Sequence, residues 1–251
     1  MNRQAFANIL LSGPCNLRCP DCIGSQTGKN HAPSTLHLFP LPGLNTFMEN
    51  LLERRINQIS LTGIDTEPML YPHQERLLEF LRSHLPEVQV SLHTNGTLIL
   101  RRPEIFNLYD RATVSLPSRQ PETCLKMTGS SRVLDLESIL AVSRIPIKVS
   151  TLLTPHNIAE IPCLVRYCRS LGIRRMVLRK LYQGDSPAPS VQGWEKLGEF
   201  AGNPVYDAAG LEVCVWDFRR TSLNCLNLFP DGRVVDNYLL KPALIAHDSM
   251  H

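Results

Sequence analysis

Six short β-forming runs, the first five each followed by a stretch of helical character, set the main constraint on how this chain can fold. The runs are residues 6–11, 58–61, 88–92, 112–116, 147–152 and 175–178. Helix-like stretches follow at 46–55, 73–84, 103–109, 135–143 and 157–171. Strand–helix alternation argues for βαβ units and therefore a parallel sheet. Several runs read as almost continuously apolar, the pattern of strands covered on both faces. At 251 residues the chain is one large domain or two small ones. No repeat of 20–50 residues is visible. Residues 183–193, with two prolines, two glycines and two serines, read as a loop. Beyond it the pattern changes: a strong strand at 211–218, then runs at 223–229 and 233–239 flanking Pro230-Asp231-Gly232, a hairpin turn. The expected fold class is α/β with an antiparallel β extension at the C-terminus.

The chemistry concentrates after the first run. Cys15-Asn16-Leu17-Arg18-Cys19-Pro20-Asp21-Cys22 places three thiols on one loop, broken by Gly13, Pro14 and Pro20. Thiolates select zinc and iron–sulfur clusters, and the usual sites of both take four ligands. Three ligands leave an open position, which separates a catalytic centre from a structural one. The compartment follows from the same residues. The N-terminus lacks the apolar core of a signal peptide, and no stretch approaches the ~20 apolar residues of a membrane helix. A cytoplasmic protein is expected, where thiols stay reduced and clustered cysteines mean metal or catalysis. A net charge of +3 is too small to imply a nucleic-acid or membrane partner.

The spacing C-x3-C-x2-C after a strand resembles the signature of the radical S-adenosylmethionine (radical SAM) superfamily. The resemblance covers residues 5–180. It implies a partial barrel of about six βα units, and a division into a core (1–182), a linker (183–193) and a C-terminal extension (194–251). It further implies that Cys15, Cys19 and Cys22 bind three irons of a 4Fe–4S cluster, the fourth iron being left to chelate SAM. Asp21 departs from the aromatic residue that many members carry before the third cysteine. Thr62-Gly63-Ile64-Asp65-Thr66-Glu67-Pro68 resembles the family's Gly-Gly-Glu-Pro motif imperfectly. Thr62 and Gly63 would offer carbonyls to the SAM ammonium, with Asp65 and Glu67 as rivals for the carboxylate role. His93-Thr94-Asn95-Gly96 resembles a Thr-Asn-Gly common at this place, although Asn-Gly is also a turn, and His93 is a potential proton donor. By position, Ser115, Ser150 (or Thr151) and Arg179 (or Lys180) would contact the SAM ribose, its carboxylate or a phosphate.

The other cysteines (Cys124, Cys163, Cys168, Cys214 and Cys225) are too scattered to suggest a second cluster, and Cys225 is the one to test as a substrate-side thiol. The resemblance implies an enzyme that reductively cleaves SAM to a 5′-deoxyadenosyl radical and abstracts hydrogen from its substrate. A small metabolite or natural-product intermediate is expected, with flavodoxin or ferredoxin as electron donor; a peptide or tRNA is the alternative. Two other classes stay open. One is a zinc-stabilised binding protein using His31 or His37 as fourth ligand. The other is an electron carrier, which would need a fourth cysteine.

Overall fold

The computed structural model describes residues 6–26 and 33–236. His31 and the end of the last expected strand, 237–239, lie outside the described residues. The six expected strands are present: β1 (Phe6–Leu11), β2 (Gln58–Gly63), β3 (Gln89–Thr94), β4 (Arg111–Ser115), β5 (Ile147–Leu152) and β6 (Arg175–Arg179). They lie side by side in sequence order, all parallel. Helices connect them: α1 (Ile23–Gln26), α2 (Leu44–Arg54), α3 (Gln74–His84), α4 (Pro103–Phe106), α5 (Pro121–Thr128), α6 (Leu136–Val142) and α7 (Ile161–Ser170). The expected helix at 103–109 shrinks to α4, one turn with Pro103 in its first positions. The expected helix at 157–171 begins instead as a 3₁₀ turn, Ile158–Glu160, before α7.

Five further strands extend the sheet: β7 (Glu195–Phe200), β8 (Asn203–Asp207), β9 (Glu212–Trp216), β10 (Cys225–Leu228) and β11 (Val234–Asp236). The single open sheet runs β11-β10-β1-β2-β3-β4-β5-β6-β9-β8-β7. The expected antiparallel hairpin is β10–β11, and β9 pairs antiparallel with β8 and β8 with β7, two strands the sequence pattern did not indicate. β9, however, adds to β6 in parallel and β10 adds to β1 in parallel. The C-terminal strands thus flank both edges of the six-stranded array and cover two edges that would otherwise expose unpaired backbone. The Pro230-Asp231-Gly232 turn closes as expected, with Phe229 N donating to Arg233 O at 2.9 Å.

One face of the sheet is packed and the other lines a cavity. Ile59 and Leu61 of β2, Val90 and Leu92 of β3, and Val114 of β4 sit in a core shared with Phe47 and Leu51 of α2 and Leu77 and Leu81 of α3. Val149 of β5, Met176 and Leu178 of β6 and Val213 of β9 form a second core beneath α7. Each fully buried large side chain of this kind contributes about 1.5–3 kcal/mol. The opposite face carries Ser60, Thr62, Ser91, His93, Thr113 and Lys148, which line the cavity. This corrects the expectation of strands apolar on both faces: β2 to β4 alternate, because only one face meets a helix.

Candidate active site

The loop after β1 is tied down by the loops after β2 and β3. Ile64 N donates to Leu11 O at 2.8 Å. Thr66 Oγ1 donates to Pro14 O at 2.6 Å, and the Asp65 carboxylate accepts from Gly13 N at 3.2 Å and Ser12 Oγ at 3.3 Å. A side chain on Gly63 would put its Cβ 1.9 Å from Thr66 O, so only glycine permits this turn. From the β3 side, Asn95 Nδ2 donates to Asn16 Oδ1 at 2.8 Å, and Asn16 Nδ2 donates to Thr97 Oγ1 at 2.6 Å. Asn16 lies between the first two cysteines, so the Thr94–Thr97 turn grips the cysteine loop directly. Arg18 N donates to Thr128 O at 2.9 Å, at the end of α5. Cys22 N donates to Cys19 O at 3.2 Å, a tight turn that leads into α1.

Cys15, Cys19 and Cys22 all line one cavity of ≈ 2680 Å³ that spreads over the polar face of the sheet. They stand at the C-terminal ends of the parallel strands, where α/β architectures place their chemistry. Burial pushes the Cys15 thiol up, and burial with the charges of Cys22 and Cys15 pushes Cys19 up to about 11. Cys15 and Cys19 are therefore held as neutral thiols until a cation draws off their protons, as coordinated metals do. Among the described residues, no three cysteine, histidine or acidic side chains converge on the space of one metal ion. His37 is exposed and joins no such group.

The structure sorts the other expected site residues into two sets. Thr62, Gly63, Asp65 and Arg179 line the same cavity as the cysteines. Glu67 does not: it is 2 % exposed and accepts from Thr94 Oγ1, Asn95 N (2.7 Å) and Met69 N (3.1 Å). Burial raises its pKa against those three donors. Glu67 thus fastens two strand-end loops together, and of the two rival carboxylates only Asp65 reaches the cavity. Asn95 acts on the cysteine loop through Asn16. Ser115 and Ser150 pair across β4–β5 but stay outside the cavity lining. Thr151 turns away and donates to Leu116 O at 2.7 Å. Lys180 is engaged with Asp217 at 3.0 Å.

The scattered cysteines stay apart: Cys124 in α5, Cys163 and Cys168 in α7, Cys214 in β9 and Cys225 in β10. Cys225 is 2 % exposed among Tyr182, Trp216 and Phe218, so it is not poised to meet a substrate. Cys214 is the thiol that lines the cavity. Sequence reasoning passed over Asn16, Arg111, Lys148 and Cys214. Their signal was a polar side chain at every second position of an apolar strand, or, for Asn16, an amide inside the cysteine spacing.

No family model matches the chain. Curated relatives include the GTP 3′,8-cyclase of Mycolicibacterium smegmatis, 25 % identical over 198 residues, covering 75 % of this chain and 52 % of the relative. The GTP 3′,8-cyclase of a Nostoc species is 30 % identical over 182 residues, covering 65 % of this chain and 53 % of its own. The chain spans about half the length of the curated relatives it matches. Among solved structures, Streptococcus suis SuiB bound to its precursor peptide SuiA superposes with a TM-score of 0.53 at 17 % identity, over 71 % of this chain and 40 % of SuiB. The enzyme anSMEcpe with bound AdoMet gives 0.52 at 16 % identity, over 73 % and 54 %. The radical S-adenosylmethionine methyltransferase TsrM of Kitasatospora setae, with cobalamin and a 4Fe–4S cluster bound, gives 0.50 at 15 % identity, over 69 % and 36 %. In sequence the chain is similar to these GTP 3′,8-cyclases over about two thirds to three quarters of its length, and in fold it is similar to the solved structures, the radical S-adenosylmethionine methyltransferase TsrM among them.

Proposed function

We propose that this chain is a radical SAM enzyme acting on a small molecule held against the polar face of its sheet. The observation that carries the reading is that three cysteine thiols share one cavity with Thr62, Gly63, Asp65 and Arg179. Cys15, Cys19 and Cys22 would hold the 4Fe–4S cluster, which supplies the electron that cleaves bound SAM and so generates a hydrogen-abstracting radical.

The chain's own residues have three tasks. Asn16, Asn95 and Thr97 keep the cysteine loop in place. The turn from Gly63 to Thr66 presents backbone polar groups and the Asp65 carboxylate to an amino-acid-like ligand. The sheet face and the loops at its strand ends would shield a reactive species from bulk water, which prevents side reactions. A cavity of ≈ 2680 Å³ exceeds the roughly 300–1,000 Å³ of a usual ligand pocket, leaving room for SAM and a substrate together. The reading implies an electron donor such as flavodoxin or ferredoxin and a reducing cytoplasm, where such thiols stay available. A peptide substrate has one feature on its side: Phe200 lines the cavity yet is 55 % exposed, at the open end of the sheet.

Anaerobic reconstitution followed by a 5′-deoxyadenosine assay tests the reading. Slow release of the nucleoside, abolished in Cys19→Ala, is expected. Release that survives in Cys19→Ala, or none from a protein with a full complement of iron and sulfide, would overturn it.

A further inference from the structure

The inner face of the sheet carries more positive charge than the cysteine rim can use. Arg111 opens β4, Lys148 is second in β5, and Arg175 and Arg179 begin and end β6; all four line the cavity. Lys148 pairs with Thr113 on one side, and its neighbour Val149 pairs with Met176 on the other. Lys148 is thus one strand, ~4.8 Å, from the position of Arg175. Three carboxylates also reach the cavity, and each is engaged. Asp65 holds Gly13 and Ser12, Asp231 holds Arg233 Nε at 2.6 Å, and Glu212 holds Arg175 Nε at 3.2 Å.

No described carboxylate answers Lys148. Its charged neighbours are Arg179, Arg175 and Arg111, with the Cys214 thiol of β9 beyond. Burial and those guanidinium groups push its ammonium down to about 8. His93 of β3 is held well below its usual range by burial and by Arg179, Lys148 and Arg111. Arg111 is aimed by Gln58 Oε1 at 2.9 Å and Gln89 Oε1 at 3.4 Å, both neutral acceptors. Like charges side by side on one sheet face are destabilising, and a half-buried ammonium without a counter-charge costs more. An anion seated among them reverses the sign of both terms.

We propose that Lys148 and Arg111, flanked by Arg175, form a subsite for an anionic group of the substrate, a phosphate or a carboxylate, at the end of the sheet remote from the cysteine loop. Leu152, the upper end of β5, is four residue steps along the strand from Lys148, a rise of ~13 Å. The substrate would therefore carry its anion on the order of 10 Å from the carbon that reacts, the span of a nucleotide or a substituted amino acid. The inference rests on the proposed reaction only for the word substrate, since anion binding needs no cluster.

Isothermal titration of the full chain, with sodium pyrophosphate and separately with malonate at constant ionic strength, tests it. Saturable binding of at least one probe is expected, with a tenfold or greater loss of affinity in Lys148→Met and in Arg111→Gln. Lys148→Met should melt at or above the wild-type temperature without ligand, because it removes like-charge repulsion; this separates a lost subsite from a lost fold. Pyrophosphate binding alone assigns the subsite to phosphate, and malonate binding alone assigns it to carboxylate. Absence of binding by either probe, or equal affinity in Lys148→Met, overturns the proposal. The same titration in Cys15→Ala/Cys19→Ala/Cys22→Ala keeps the two ideas apart: binding should persist there even though nucleoside release is lost.

Discussion

The two faces of β2 to β6 are built from the same strands and solve opposite problems. Outward, Ile59, Leu61, Val90, Leu92 and Val149 are at most 1 % exposed against helices. Inward, Ser60, Thr62, Ser91, His93 and Lys148 line the cavity, each next in sequence to one of them. Period-two alternation gives each strand one face for stability and one for chemistry. A one-residue slip would exchange the two sets, so the apolar side fixes the register that aims the polar side.

Substitutions on the two faces should therefore differ sharply. Leu61→Ala or Leu92→Ala should cost about 2–5 kcal/mol, whereas Ser60→Ala or Thr113→Ala should cost less than about 1 kcal/mol; urea unfolding measures both. Equal costs on the two faces would break the comparison. Next in size is Gly63→Ala, where the new Cβ meets Thr66 O at 1.9 Å. Overpacking of this kind costs about 1–3 kcal/mol, and here it would also displace the turn facing the cysteines, so SAM affinity should fall with stability. Asn16→Ala should cost only about 1 kcal/mol yet lower the iron retained after gel filtration, because the amide holds the cysteine loop rather than the core.

A smaller effect lies at Asp217, between the cavity-lining Trp216 and Phe218. Burial raises the Asp217 pKa, but hydrogen bonds and charge from Lys180 and Arg219 outweigh it and leave the carboxyl below its usual range. A carboxyl with a lowered folded-state pKa adds stability above its unfolded value, near 4, and loses it as pH falls through the folded value. The melting-temperature gap between wild type and Asp217→Asn should thus be widest near neutrality and close on acidification below about pH 4. A gap that widens towards acid would contradict the assignment.

The sequence made the outward face and the cysteine loop legible because both are local patterns. Apolar runs marked β1 to β6, and the spacing of Cys15, Cys19 and Cys22 needed no fold to be read. What stayed hidden depends on distant partners. The parallel docking of β10 on β1 joins residues more than 200 positions apart, and nothing in Cys225–Leu228 specifies that neighbour. β7 and β8 were missed because β7 is exposed along most of its length and is interrupted by Gly198, so no burial pattern marks it. α5 did carry signals, Pro121 in its first turn and Gly129 in the left-handed conformation at its end, but only eight residues lie between coil and coil. Glu67 looked like a ligand-binding carboxylate; its role as a buried fastener follows only from where Thr94 and Asn95 lie.

The most direct test of the central claim is the EPR spectrum of the anaerobically reconstituted and reduced protein, recorded before and after SAM is added. A reduced 4Fe–4S signal that shifts with SAM and disappears in Cys15→Ala, Cys19→Ala or Cys22→Ala is the predicted result. A colourless protein that retains zinc, or a cluster signal indifferent to SAM, would contradict it.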